Sequence, residues 1–324
     1  MIVALLCLAI TGKIPESVKT WARSYQANSY SSQKSSKRKF QIEKPSIPSR
    51  SKSWEESQNS KKRVKKISKP ASRSLSKKPP GRVENAFQNI ALWDQEYALE
   101  VPLFEKHRSK AGNLFGKING KVHSSYQETY DFCQLFNPMN RKDSEVSERA
   151  IDQYLGKVSQ MKPIAEVLRL TNTSVRDLKR TWFREGRGFE HVVCGEVGGR
   201  PGGYKLGGYH FWYMHYRYEQ DGSARYLGED YGSRNRNRGL KDNKLVTGDF
   251  SWDVDGPGGQ SPLEKKPKGG FSTEHSVAAI LALGHAIIYS NAQDSVLANI
   301  NQKKYRWTFY TKGKSMRTLW PSYP

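Results

Sequence analysis

The chain has 324 residues, enough for one large domain or two small ones with a substantial core. Its formal charge is +23, with 17 Lys/Arg against 3 Glu between Ser31 and Arg82, so one segment carries more than half of the excess. Such a balance favours polyanionic partners such as RNA, DNA or an anionic membrane, and does not choose among them. The three cysteines, Cys7, Cys133 and Cys194, show no C-x-x-C spacing and argue against a disulfide scaffold or a zinc site. Cys194 reads as a small buried residue in a strand rather than a nucleophile.

Residues 2–10 form an apolar run too short to span a bilayer and about the length of a signal-peptide core. Residues 1–12 are therefore expected to be a leader, which implies a secreted protein without stable membrane insertion after its removal. Residues 13–82 are rich in Ser, Lys, Pro and Gln, with the densest cluster at Lys61–Lys66. They read as a disordered basic linker, or as an arm that raises affinity for RNA or membrane.

From Asn85 the pattern becomes helical. Ala86, Ile90, Ala91, Trp93, Tyr97 and Leu99 predict a helix ending near Pro102. Further helices are expected over 144–160, from Pro163, and after a Ser174 cap with Val175, Leu178, Trp182 and Phe183 on one stripe. After Gly186 the signals turn to strands. His191–Glu196 reads as a short strand, and Tyr209–Glu219 as a long one, closed by Asp221-Gly222 and answered by Ala224–Leu227. Val277, Ile280, Leu281, Gly284, Ile287 and Ile288 predict an amphipathic helix. The final hairpin has arms Tyr305–Thr311 and Ser315–Trp320. The sum is an α+β domain over 83–324, with a mainly helical part at 83–186 and an antiparallel β-rich part with two small sheets at 187–324.

His191 and His210 each sit near glycines in the β-rich part, with Lys268 beside Gly269 and Gly270. Cleavage of RNA by its own 2′-OH needs a base, an acid and a cation for the crowded phosphorane. Two histidines and a lysine meet that need. Lys268 through Ser272 runs toward the 274–289 helix, where free N–H groups could face a phosphate, or where Ser272 or Thr273 simply caps the helix. Strand alternation puts His191 on the opposite face from Glu190 and Glu196. His107, His123, His215, His275 and His285 read as structural, and Phe211, Trp212, Tyr213, Tyr216 and Tyr218 as core.

These residues resemble a known family. Trp182-Phe183, Gly188-Phe189-Glu190-His191-Val192 and Gly195-Glu196 resemble the signature of EndoU-type (XendoU-like) endoribonucleases, and Gly208-Tyr209-His210-Phe211-Trp212 resembles that family's second histidine block. Lys268-x-x-x-Ser272, Leu206–His210 and Arg317–Pro321 resemble segments of the related coronavirus uridylate-specific endoribonuclease. Matches in order cover roughly residues 145–324. The resemblance implies His210 as general base, His191 as general acid and Lys268 as the phosphate's cation, with Lys266 competing for that role. It implies Ser272 at the pyrimidine edge, with Thr273 beside it, and Trp320 stacked on base or ribose. Cleavage of single-stranded RNA at uridines or pyrimidines would give a 2′,3′-cyclic phosphate and a 5′-hydroxyl. Some members use Mn²⁺ with the glutamates matching Glu190 and Glu196, and no organic cofactor is implied. Val193, Tyr209, Phe211 and Trp320 depart from the family pattern. Two other readings fit the same residues: a non-catalytic RNA- or polyanion-binding module on this fold, and an RNase toxin whose partner is an immunity protein.

Overall fold

The chain was analysed as a computed structural model that describes residues 81–104, 112–138, 146–200, 203–228, 244–254, 256–257, 264–322 and 324. The side chains of 199–200, 203–205, 264–265 and 267–268 fall outside that description. The expected leader and all of the basic linker up to residue 80 also lie outside it, as does His107. The described residues belong to one unit, Ser74–Pro324.

The helical front begins with α1 (Glu84–Trp93). It stops at Asp94, well short of Pro102, because the Asp94 carboxylate turns away to a later helix. There it accepts the backbone N–H of Ser276 at 2.9 Å and the Ser276 hydroxyl at 2.5 Å. α2 (Ser124–Cys133) starts at His123, whose Nδ1 accepts from Ser125 N–H. α3 (Glu148–Val158) is capped by Ser147, so it begins later than the apolar spacing suggested. α4 (Lys162–Thr171) carries Pro163 in its first turn, where a missing N–H costs nothing. α5 (Val175–Phe183) has the Ser174 cap, completed by Asp177 as a capping box.

Two segments expected as strands are helical. Glu190–Cys194 winds into one π-helical turn, closed by a 2.9 Å bond from Gly195 N–H to the Glu190 carbonyl. Val192, Val193 and Cys194 are buried in succession. A strand would turn alternate residues to opposite faces, whereas here consecutive ones all need cover. Trp212–Gln220 forms α6, not a long strand. Its aromatic residues suggested a strand, but Trp212, Tyr213, Met214, His215, Tyr218 and Glu219 are buried on a helical surface. Asp221-Gly222 is therefore a helix-to-strand turn, with Gly222 at φ +84°, rather than a hairpin.

The strands are all antiparallel. β1 (Glu196–Arg200) and β2 (Gly203–Gly207) form a hairpin, with Glu196 opposite Gly207. β3 (Ala224–Gly228), β4 (Leu245–Trp252) and β5 (Glu264–Ser272) form one sheet. β6 (Ser295–Ile300), β7 (Lys303–Lys312) and β8 (Ser315–Ser322) form another, which contains the expected terminal hairpin. Helices with two three-stranded sheets and a small hairpin fulfil the α+β expectation.

Between these layers runs α7 (Val277–Ile288), capped by Ser276 through its bond to Ala279 N–H. Every residue from Val277 to Ile287 is buried, so the helix is a central rod and not the amphipathic surface helix expected. It packs against α1, α4, α5, β6 and β8. Trp182 of α5 lies on Gly284 and donates its indole N–H to the Leu281 carbonyl at 3.0 Å. A Cβ on Gly284 would come within 2.2 Å of the Trp182 ring. Gly284→Ala should therefore lower unfolding stability by about 1–3 kcal/mol through overpacking, despite alanine's better helix propensity. Chemical denaturation checks this, and an unchanged or higher midpoint would refute the packing argument.

Candidate active site

The site is built where the π-helical turn meets the Gly207–Phe211 segment. Two backbone bonds join them. Tyr209 N–H donates to the His191 carbonyl at 2.8 Å, and His210 N–H donates to the Val192 carbonyl at 2.7 Å. So close an approach needs Gly208. It has φ +61°, and a Cβ there would lie 1.7 Å from the His191 carbonyl oxygen. Tyr209 follows with φ +66°, a costly conformation for a bulky residue. It is held by burial against Trp252, with ring centroids 5.7 Å apart and planes 8° apart.

This joint brings the two histidines together, with ring centroids 6.1 Å apart. Their hydrogen-bond partners differ. His191 Nδ1 lies 2.6 Å from Glu196 Oε1, and that same oxygen accepts from Arg317 Nη2 at 2.6 Å. Glu196 thus orients His191, contrary to the strand argument, which had set them on opposite faces. The π turn and the left-handed-φ Gly195 (φ +84°) curl Glu196 back toward the ring. His210 donates Nδ1–H to the Gly270 carbonyl at 2.7 Å. A carbonyl can only accept, so neutral His210 keeps its lone pair on Nε2. Burial first, then the neighbouring Lys266 ammonium, push its pKa well below the usual histidine range, against the opposing Gly270 bond.

Lys266 is buried and donates to the Gly208 carbonyl, the residue at the joint. Burial brings its pKa down to about 7. Lys268 lies two residues further along β5, and its side chain is outside the described set. The cation that the described structure sets beside His210 is therefore Lys266, the alternative left open by the sequence. The Lys268–Ser272 segment is strand, and the helix after it is capped by Ser276, so no helix N-terminus faces the site from Ser272. Ser272 is fully buried, two residues after Gly270, whose carbonyl holds His210. Thr273 is also buried. Its N–H bonds the Lys244 carbonyl at 2.8 Å, its hydroxyl points to that same carbonyl, and its own carbonyl accepts from Asn301. It serves the turn out of β5. Trp320 is partly exposed and stacks on His210, with centroids 6.2 Å apart and planes 26° apart. Tyr310, an exposed residue, lies next along, 5.5 Å from Trp320.

The remaining described histidines stand apart from this cluster. His285 bonds Thr173 and Thr181, His275 bonds the Ser276 carbonyl, and His215 is buried among Phe115, Phe250 and Phe271. As for a divalent cation, Glu190 pairs with Arg187 at 2.9 Å and Glu196 is shared by Arg317 and His191. Among the described residues no three His, Cys, Asp or Glu side chains converge as a metal-binding group. The two glutamates are thus already matched to cations of the protein.

Sequence reasoning missed the roles of Gly270 and Arg317. Gly270 acts through a backbone carbonyl, which leaves no residue-type signal. Arg317 was visible only inside a terminal motif. Cys133 and Cys194 are joined as a disulfide, with Cα atoms 5.3 Å apart, a single pairing that the sequence left open when it argued against a disulfide scaffold.

Gly208→Ala should uncouple the two histidine segments, since the added methyl meets rigid backbone. We expect RNA cleavage to fall by about a hundredfold, together with a lower thermal midpoint. Near-parental activity would show that the joint is not required.

The family model for Endoribonuclease XendoU matches residues 105–324. No curated protein matches. Among solved structures, the chain is similar to XendoU, a splicing-independent snoRNA-processing endoribonuclease. The TM-score is 0.52 at 16% identity, over 75% of this chain and 97% of that one.

Proposed function

The chain belongs to the XendoU endoribonuclease family, and from that premise we propose that it cleaves single-stranded RNA at pyrimidines by attack of the ribose 2′-OH on the adjacent phosphate. The observation that carries this reading is the unlike pairing of two facing imidazoles, one on a carboxylate and one on a carbonyl. Neutral His210 takes the 2′-OH proton on Nε2. The 2′-oxygen attacks phosphorus, and the bond to the 5′-oxygen breaks. His191, held through Nδ1 by Glu196, gives that oxygen its proton from Nε2. The products are a 2′,3′-cyclic phosphate and a 5′-hydroxyl, with no water consumed in the step. Lys266 stabilises the charge that builds on the phosphorane oxygens. Trp320 offers a stacking face beside His210 for the base, and Ser272 is the pyrimidine-edge candidate. No step passes through a metal.

The direct test uses oligonucleotides with a single U or C, with EDTA or Mn²⁺, and identifies the ends formed. Cyclic phosphate ends are expected in both arms, whereas a 3′-hydroxyl product would eliminate the mechanism. His191→Ala and His210→Ala should each reduce cleavage by about 10²–10⁴-fold while RNA affinity changes little.

A pH profile tests Lys266. Its pKa is lowered, so the ammonium is present below about pH 7 and is lost as pH rises through that value. His210, with its own pKa lowered, remains an available base below the ordinary histidine range. For the free enzyme, kcat/KM should therefore hold up in mild acid and decline on the alkaline side of about pH 7. Lys266→Gln should lower the rate and remove the part of that decline set by Lys266, leaving the part that loss of the His191 proton contributes. An alkaline limb superimposable on the parent's would assign the whole decline to another group.

A further inference from the structure

The segment between the proposed acid and its carboxylate, His191 to Glu196, contains Cys194, which is bonded to Cys133 across 61 positions of sequence. Cys133 is the last residue of α2, a helix whose buried face, including Tyr126, Thr129 and Phe132, packs into the core. Its neighbour Phe132 stacks on Tyr154 with centroids 4.2 Å apart and planes 2° apart. Five residues beyond Cys133, the Pro138 carbonyl accepts from Val197 N–H at 2.8 Å. The chain at and after the α2 end thus holds this stretch at two points, covalently at Cys194 and through a hydrogen bond at Val197, just beyond Glu196. Immediately after Cys194 comes Gly195, at φ +84° and the most pliable link in the segment. Without the covalent point, the π turn keeps its buried valines and its backbone bonds to Tyr209 and His210. What loses its tether is the span that sets the His191 ring against Glu196.

Resting on the reading of His191 as the acid, we propose that the Cys133–Cys194 disulfide is a positioning element for proton delivery to the leaving 5′-oxygen, and that its reduction slows RNA cleavage at that step without unfolding the protein. The bond lines a cleft of about 170 Å³, together with Gln134, Pro138, Tyr218 and Trp252, which gives a small reductant an approach. The chemistry is ordinary exchange. A dithiol's thiolate attacks one sulfur, its second thiol closes the reductant's own disulfide, and Cys133 and Cys194 leave as thiols with two electrons and two protons gained. Neither cysteine touches substrate; both act through His191.

The test compares the oxidised full chain with the same protein after dithiothreitol, and with Cys133→Ser/Cys194→Ser and Cys133→Ala/Cys194→Ala. Two substrates are used: an RNA oligonucleotide and a pyrimidine nucleoside 3′-(4-nitrophenyl phosphate), whose nitrophenolate departs without needing a proton. Loss of the disulfide should lower kcat on the oligonucleotide by about tenfold or more, with KM within about twofold. Turnover of the nitrophenyl ester should stay within about twofold, and the circular dichroism should be unchanged. Equal slowing of both substrates would make the bond merely structural and overturn the inference. So would unaltered cleavage of both, or free thiols in the oxidised protein by non-reducing peptide mapping. Oxidised protein that cuts neither substrate would instead overturn the acid–base reading, and this inference with it.

Discussion

The site depends on two backbone hydrogen bonds, from Tyr209 and His210 to the carbonyls of His191 and Val192. They make one rigid piece of two segments that are separate in sequence. Each requirement follows from the one before. Carbonyls on successive residues must point to the same neighbour, which the π-helical turn supplies and an extended strand does not. The neighbour must approach within van der Waals contact, which Gly208 alone permits. Tyr209 must then accept a left-handed conformation, and its ring is fixed by stacking against Trp252. Strain of this kind persists only where surrounding packing over-determines it.

That packing is supplied from two sides. The Phe189 ring, just ahead of the π turn, lies among Phe132, Phe136, Tyr154 and Phe183. On the far side, Phe211 and Trp212 follow His210 into α6 and rest on Tyr126. Both histidine segments are therefore flanked by buried aromatic rings, and the polar residues between them are held from each end. β8 closes the remaining side, where Arg317 reaches Glu196 and Trp320 covers His210. The helical front half thus acts as a foundation, not as a separate module, for the catalytic segments.

Much of this was legible in the sequence, and the exceptions share a cause. Four of the helices at 84–183 and the terminal hairpin follow from apolar period, caps and turn residues, whereas α2 was not expected. The two failures, at His191–Glu196 and Tyr209–Glu219, are runs in which nearly every residue is buried. A run hidden on all sides has no period to read, and its β-branched and aromatic content then favours the wrong answer. The choice of the two histidines did not depend on that error, because it rested on side-chain chemistry and resemblance. The faces assigned to them did not survive, because they rested on strand alternation. Alternation set Glu196 on the face opposite His191, yet it is the residue that orients the ring. Lys266 and Lys268 could not be separated by spacing alone. Lys266 is buried and in contact with the Gly208 carbonyl, and neither property has a residue-level signature.

Two chemically identical side chains come to hold opposite roles through their surroundings alone. His210 lies in a nearly dry site, against a carbonyl that can only accept, with an ammonium nearby. Each of desolvation and like charge disfavours a second proton, so the ring is kept as a base. His191 is less buried and faces a carboxylate, which is the partner an imidazolium needs. Arg317, on that same carboxylate oxygen, holds Glu196 in place and shares its charge with the histidine. In the proposed mechanism the lysine beside His210 serves in two ways: it discourages protonation of the base before substrate arrives, and it meets the anionic phosphate once substrate is bound. On that reading a single buried cation couples the readiness of the base to the charge of the substrate.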